Sequence, residues 1–248
     1  MQVNRGRKRR RYSIVILCIL ALLLAGYLFS TPPWLRRALV RYYYVQIADG
    51  VYADPTMTDA ARRRVLADLQ RARDRIAAMF GTTRARPVTI IASNNIEAGH
   101  YGLRNRVPGA VFVSAISTHV VLNMKDFSLD VTAHELMHAE LADRLGYLAR
   151  MTRLPIWLDE GIAVQLDWRR SYQVDCAEIG AQRIREVKAL FNPSQFQSGN
   201  KNQIVANYQA AKCSASQALA RQPMGYLYEG LRRIRDGEDV NAVFGNTD

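Results

Sequence analysis

The chain has 248 residues, of which 49% are hydrophobic and 9% aromatic, and its net charge is +12. This length and apolar content are typical of one globular domain with accessory segments, and they exclude a chain that is disordered over most of its length. The three cysteines lack the spacing of a zinc finger, which excludes a structural zinc site of that kind.

The N-terminal residues combine a basic tract with an apolar run. Six Arg and Lys side chains lie at residues 5–11, and the nineteen residues of 12–30 contain no charged side chain. A helix of that length rises about 28 Å, close to the thickness of the hydrocarbon core of a bilayer. The sequence therefore predicts a transmembrane helix at 12–30. A cleaved signal peptide is the alternative.

The basic residues before this run outnumber those shortly after it. The positive-inside rule then predicts a single-pass protein of the inner (plasma) membrane with its N-terminus in the cytoplasm. Residues from about 31 onward are expected on the periplasmic or extracellular side. The expected organisation is a basic cytoplasmic tail at 1–11, a transmembrane anchor at 12–30, a juxtamembrane segment at 31–54 and one folded domain at 55–248.

The remaining pattern predicts strands first and helices afterwards. Residues 56–80 read as a long amphipathic helix, because apolar side chains recur near a 3.6-residue period. Short segments rich in β-branched residues predict strands at 87–93, 110–115 and 119–124. Helices are expected from about 129 to 146, after Pro155, and at 177–191, 203–220, 222–236 and 238–244. This order indicates an α+β domain.

The helix that begins near residue 129 contains the segment HELMH, which matches the pattern H-E-x-x-H. Residues four apart share a helix face, so the imidazoles of His134 and His138 can approach one metal ion. Glu135 lies about 100° around the helix axis from His134, beside the metal, where its carboxylate can take a proton from a water. A helix with two histidines and no metal is the alternative for these five residues alone.

A zinc site in a hydrolase needs a third protein ligand and one open position. His100 and His119 both precede the motif without helical spacing to it, and structural roles are expected for them. About twenty residues downstream, Asp159 and Glu160 lie on the next predicted helix. A hairpin of the two helices can bring one of these carboxylates to the metal.

The segments HELMH and LPIWLDEGIA together resemble the gluzincin clan of zinc metallopeptidases, which includes thermolysin-like enzymes and zinc aminopeptidases. The resemblance covers about residues 105–245. It implies a zincin-like peptidase domain, a small mixed sheet followed by helices. It also implies a Zn²⁺ ion held by His134, His138 and Glu160, with Glu135 activating a water.

The resemblance further implies hydrolysis of a peptide bond in a peptide or protein substrate. Tyr208, within NYQAA, resembles a tyrosine of the clan and is implied as the hydrogen-bond donor to the developing oxyanion. The strand at 110–115 is implied as the edge along which an extended substrate lies. Because no amine-binding segment like Gly-x-Met-Glu-Asn occurs, an endopeptidase is expected and not an aminopeptidase.

The chain also departs from the clan's pattern. The interval from His138 to Glu160 is slightly longer than in thermolysin-like enzymes, and Val164 stands where an aspartate often orients a ligand histidine. Three acidic residues remain candidates for that role: Asp130, Asp159 and Asp167. Asp159 in place of Glu160 is the alternative third ligand.

Two further expectations remain open. In an oxidising compartment Cys176 and Cys213 can form a disulfide, and two unrelated buried thiols are the alternative. The alternative function is a non-catalytic, membrane-anchored, zinc-binding scaffold or interaction protein with the same fold. Nucleic-acid binding through residues 5–11 is not expected, because their position before an apolar run explains their charge. The sequence does not determine the oligomeric state.

Overall fold

The computed structural model describes residues 16–20, 26, 31–105, 107–220, 222–223 and 225–244. Within these ranges no helix has both the length and the apolar composition that crossing a bilayer requires. This finding corrects the predicted fold class, which placed a transmembrane helix ahead of the domain. The predicted basic tail and most of the predicted anchor at 12–30 lie outside the described residues.

The domain contains one mixed sheet in the described ranges. Its five strands are β1 (Val45–Ala48), β2 (Val51–Ala53), β3 (Val88–Ala92), β4 (Gly109–Val113) and β5 (Thr118–Asn123). Their order in the sheet is β1-β2-β3-β5-β4, with β2, β3 and β5 parallel and the two outer pairs antiparallel. β4 therefore forms one edge of the sheet, paired with β5 alone.

Most of the helices come after the last strand in the sequence. They are α1 (Pro33–Ala38), α2 (Asp59–Phe80), α3 (Asn95–His100), α4 (Leu129–Leu145), α5 (Tyr147–Arg153), α6 (Ile156–Val164), α7 (Ala181–Lys188), α8 (Pro193–Phe196), α9 (Lys201–Ala220), α10 (Tyr226–Arg235) and α11 (Val240–Phe244). Sheet and helices together make an α+β domain with a small mixed sheet, which is the part of the predicted fold class that the structure supports.

The three expected strands lie within two residues of β3, β4 and β5. Several elements were not predicted, among them the short helices α1, α5 and α8. β1 and β2 belong to the expected juxtamembrane segment 31–54, yet β2 pairs with β3 in parallel, so the sheet includes residues ahead of the expected domain start at 55. The short helix α3 also escaped prediction, although Asn94 caps it by accepting hydrogen bonds from the next turn.

The long helix α4 is the centre of the domain. Ser128 caps its N-terminus by accepting a hydrogen bond from the backbone N–H of Val131. The helix packs on β4 and β5 at one side and on α2, α6 and α10 at others. Every side chain from Val131 to Ala142 is consequently buried. A helix buried on all sides holds its polar side chains within the protein interior, where each needs a partner.

Helices α6 and α9 pack closely because Gly161 has no side chain. A Cβ atom added there would lie 2.3 Å from the carbonyl oxygen of Ala211 and 2.9 Å from the Cβ of Ala215. These atoms belong to the facing helix and cannot rotate away. The contact therefore fixes the position of α6, and with it the neighbouring Glu160.

We expect Gly161→Ala to lower the free energy of unfolding. The decrease should lie near the upper end of the range of about 1–3 kcal/mol that overpacking costs, although alanine has the better helix propensity. Gly180→Ala is the matched control, since a Cβ there meets no atom within 4 Å and the backbone φ is −62°. Chemical denaturation of the full chain measures both. Equal stability of the two variants would contradict the close packing of α6 and α9.

A disulfide joins Cys176 to Cys213, so the predicted pairing is confirmed. Cys213 lies on α9, and Cys176 follows the loop that leaves α6. The same loop is held to α9 by Gln209, which donates to the carbonyl oxygen of Ser171 at 3.0 Å, and by Lys212, which donates to that of Tyr172 at 3.1 Å. The loop after α6 is therefore fixed on α9 at several points.

Candidate metal centre

The imidazoles of His134 and His138 project from the same face of α4, one turn apart. Their Nε2 atoms lie 3.1 Å from each other, and both side chains are buried. Glu160, near the middle of α6, completes the group: its Oε2 lies 3.4 Å from the Nε2 atom of each histidine. The three predicted ligands thus converge from two adjacent helices, as the sequence-based hypothesis requires.

The spacing of these three atoms fits a metal ion. Around a tetrahedral zinc ion with bonds of about 2.0–2.1 Å, neighbouring ligand atoms lie about 3.3 Å apart. The three distances here are 3.1, 3.4 and 3.4 Å. In addition, Oε2 of Glu160 is buried without a hydrogen-bond partner in the described part of the chain. A buried carboxylate oxygen without a partner is costly, and a cation between the three side chains removes that cost.

The charges within the cluster support the same interpretation. Burial disfavours protonated His138, but the carboxylates of Asp159 and Glu160 outweigh burial and raise its pKa well above the usual range. Burial alone would raise the pKa of Glu160, but the charge of His138 and its contacts with both imidazoles hold that pKa well below the usual range. The cluster thus favours a positive charge at its centre, either a proton or a metal ion.

The structure separates the three aspartates that the sequence left as alternatives. Asp159 Oδ1 lies 2.7 Å from Nδ1 of His138, the ring nitrogen that points away from Glu160. Its other oxygen accepts a hydrogen bond from Arg150 at 2.7 Å. Asp159 therefore orients His138 and is not part of the three-residue cluster.

The other two aspartates have different partners. Asp167 is fully buried, and its Oδ2 lies 4.0 Å from Nδ1 of His134, too far for a hydrogen bond. Asp130 accepts a hydrogen bond from Arg75 at 2.6 Å. Asp167 is thus the acidic group nearest to the outer nitrogen of His134, and Asp130 stabilises the contact between α2 and α4.

Glu135 is buried beside the cluster, and burial raises the pKa of its carboxyl group, against the opposing charges of His134 and His138. The side chain fits here because residue 109, at the start of β4, is a glycine. A Cβ atom added to Gly109 would lie 2.8 Å from Cγ of Glu135. Gly109 therefore allows α4 to approach the edge strand closely enough to hold Glu135 between them.

A cleft of about 390 Å³ borders these residues. Residues 107–112, which include most of β4, line it, together with Tyr172, Pro193, Gln197 and Tyr208. His134, Glu135, His138 and Glu160 line it too. The metal cluster and the carboxylate of Glu135 therefore share one open groove with the edge strand of the sheet.

Tyr208 lines this groove, and its ring centroid lies 6.2 Å from that of His134. The ring also packs against Phe196 at 5.0 Å and Tyr172 at 5.1 Å. Burial and the nearby carboxylate of Glu160 raise the pKa of the Tyr208 phenol well above its usual range, so the hydroxyl keeps its proton as a donor. Its role as a catalytic donor stays a prediction.

The other two histidines lie outside the cluster. His119 is buried on β5, with Nδ1 3.5 Å from the hydroxyl of Ser117, and burial lowers its pKa. His100 lies at the end of α3, with Nδ1 3.6 Å from a carboxylate oxygen of Glu97. Neither contributes to the metal centre, in agreement with the structural roles expected for them.

Sequence reasoning missed several residues that line the cleft, among them Gly109, Arg150, Arg169 and Tyr172. Arg150 and Arg169 flank the segment that carries Glu160, and basic residues close to a ligand segment were the available signal. Gly109 gave the weaker signal of a glycine at the start of a predicted strand. Tyr172 gave no signal, because only the fold of the loop after α6 brings it to the groove.

Comparison of the chain with protein-family models, with curated proteins and with solved structures found no match in any of the three. The interpretation of the site therefore depends on the side chains themselves: a buried cluster of two histidines and one glutamate that can bind a metal ion.

Proposed function

We propose that the chain is a zinc-dependent peptidase of the gluzincin type, an endopeptidase with His134, His138 and Glu160 as the metal ligands. The observation that carries the proposal is the convergence of these three side chains at distances of 3.1–3.4 Å, with Oε2 of Glu160 otherwise unpartnered. Two imidazoles and one carboxylate, with a cleft on the open side, are the ligand set of a catalytic zinc site.

Zinc, when bound, supplies Lewis-acid chemistry, which acidifies a water molecule and polarises a carbonyl group. The Glu135 carboxylate acts as the general base: it takes the proton of the attacking water and later delivers it to the leaving amine. The buried position that raises the pKa of Glu135 brings it closer to the value that suits a base near neutral pH. Tyr208, whose phenol stays protonated, is the proposed donor to the oxyanion.

The position of β4 supports a peptide as the substrate. The hydrogen bonds from Asn123 N–H to the Pro108 carbonyl and from Ser114 N–H to the Ser117 carbonyl fix the register of β4 on β5. In an antiparallel pair the intervening residues direct their backbone groups away from the partner strand. Gly109, Val111 and Val113 therefore direct N–H and C=O groups away from β5, and Gly109 and Val111 line the cleft, where an extended chain can pair with them.

The disulfide supports an oxidising compartment as the place of this activity. Cys176 and Cys213 are bonded, and such bonds persist in oxidising environments and are rare in the cytosol. We therefore propose that the domain acts in the periplasm or outside the cell, on peptides or proteins found there.

The experiment is to purify the full chain, measure its metal content by mass spectrometry, and assay a peptide library. We expect about one equivalent of zinc per chain, cleavage that a chelator abolishes, and recovery of activity on adding zinc. Chelator-resistant cleavage, or a chain that binds no zinc, would refute the proposal. Zinc binding without cleavage would favour the non-catalytic zinc-binding scaffold.

A further inference from the structure

Arg169 lines the metal cleft and is held there by a buried carboxylate. Its Nε donates to Oδ1 and Oδ2 of Asp167 at 2.8 and 3.0 Å, its Nη2 donates to Oδ2, and its backbone N–H donates to Oδ1 at 3.1 Å. Asp167 has no exposed surface, whereas the Arg169 side chain is 36% exposed. The guanidinium group is thus held in place by Asp167 and remains partly accessible from the cleft.

These hydrogen bonds use one edge of the guanidinium group. They involve Nε and Nη2, and Nη1 takes part in none of them. A guanidinium has five N–H groups in a rigid fork. Within the described ranges no residue binds the second edge, formed by Nη1 and Nη2, so this edge is free to bind another planar group with two oxygens. The ring of Tyr172, 5.0 Å from the Arg169 carbon Cζ, further restricts the orientation of this edge.

The charges around the cleft favour an anionic group at that edge. The Asp159 carboxylate is already bound by Arg150 and by His138. The Glu160 carboxylate is required for the metal, and the Glu135 carboxylate lines the same cleft. Arg104, which also lines the cleft, forms no ion pair with any other residue that the structure describes. A bound divalent ion and Arg104 together outweigh the charges of the two glutamates, so the cleft has more positive than negative charge available to a ligand.

We propose that the free edge of Arg169 binds a carboxylate group of the peptide substrate, either the C-terminal carboxylate or an acidic side chain. This inference rests on the proposed function in taking the metal cleft as the peptide-binding site. Two parallel N–H···O bonds to a carboxylate are stronger and more directional than a bond to a neutral carbonyl group. Arg169 is thus a specificity residue, whose position depends on Asp167.

The test measures binding, so that it does not depend on catalysis. Full-chain Glu135→Gln protein loaded with zinc is titrated calorimetrically with an acetylated tetra-alanine that has a free C-terminal carboxylate, and with its C-terminal amide. A second pair compares amidated peptides with glutamate or glutamine at each position. The first pair reports on a C-terminal carboxylate and the second on an acidic side chain.

We expect the carboxylate form of one pair to bind about 10- to 100-fold more tightly, the contribution of a charge-assisted bidentate pair. Arg169→Gln should remove this preference while the neutral peptides bind as before. Arg169→Lys keeps a cation beside Asp167 but lacks the second edge, so it should also lose most of the preference. Arg170→Gln is the matched control, because that neighbouring side chain is exposed and does not line the cleft.

If the protein that retains Arg169 bound the two peptides of each pair with equal affinity, this result would overturn the proposal. So would a preference that survives in a folded, zinc-binding Arg169 variant, or one that disappears in Arg104→Gln and not in Arg169→Gln. An equal loss of affinity for charged and neutral peptides would assign Arg169 a structural role through Asp167. Failure of peptide cleavage alone would contradict the proposed function and leave these binding results unaffected.

Discussion

Glu135→Gln is expected to lower the kcat of peptide cleavage by about 10²–10⁴-fold while zinc remains bound. Glutamine has nearly the same shape but cannot accept a proton, and Glu135 is not one of the three converging ligands. The buried space between α4 and Gly109 that holds the side chain should therefore still be filled. Steady-state kinetics and metal analysis of the same preparation measure the two effects.

The pH dependence of kcat/KM tests the role of Glu135 in a second way. Cleavage needs the ionised carboxylate, and burial raises the pKa of Glu135. The wild-type kcat/KM should therefore fall on acidification through this raised pKa, and the residual activity of Glu135→Gln should lack that acidic limb. Glu186→Gln, on the exposed surface of α7, is the control and should retain the wild-type profile. Normal turnover by Glu135→Gln would refute the mechanism.

Glu160→Gln is expected to lose zinc affinity far more than Asp159→Asn, although the two residues are adjacent on α6. Glu160 Oε2 lies 3.4 Å from both Nε2 atoms, whereas Asp159 contacts the opposite nitrogen of His138. A group that orients a ligand histidine contributes about 10–100-fold to metal affinity, so Asp159→Asn should show that loss, and Glu160→Gln a larger one.

Competition with a chromophoric chelator measures these affinities. Zinc should also raise the melting temperature of the wild-type chain, because binding to the folded state alone stabilises it, and Glu160→Gln should lose this shift. A larger loss of affinity in Asp159→Asn than in Glu160→Gln would mean that Asp159 is the third ligand. That result would contradict the assignment made from the geometry of the cluster.

Much of the fold was predictable because its signals are local. The recurrence of apolar residues every 3.6 positions and the runs of β-branched residues predicted the bounds of α2, β3, β4, β5 and α4 to within a few residues. β1 and β2 were missed since they are only four and three residues long and gain their stability from pairing with a neighbouring strand. The expected transmembrane helix is the other difference, since no helix in the described ranges can cross a bilayer.

The pairing of His134 and His138, with Glu135 beside them, follows from the local sequence alone, because a helical period relates residues four apart whatever surrounds the helix. The packing of distant segments was needed to show which carboxylate completes the cluster, which aspartate orients His138, and that Arg169 lines the cleft. Those relations join residues from α4, α6 and the loop after it. Their distances depend on how the helices pack, above all where Gly161 lets α6 approach α9.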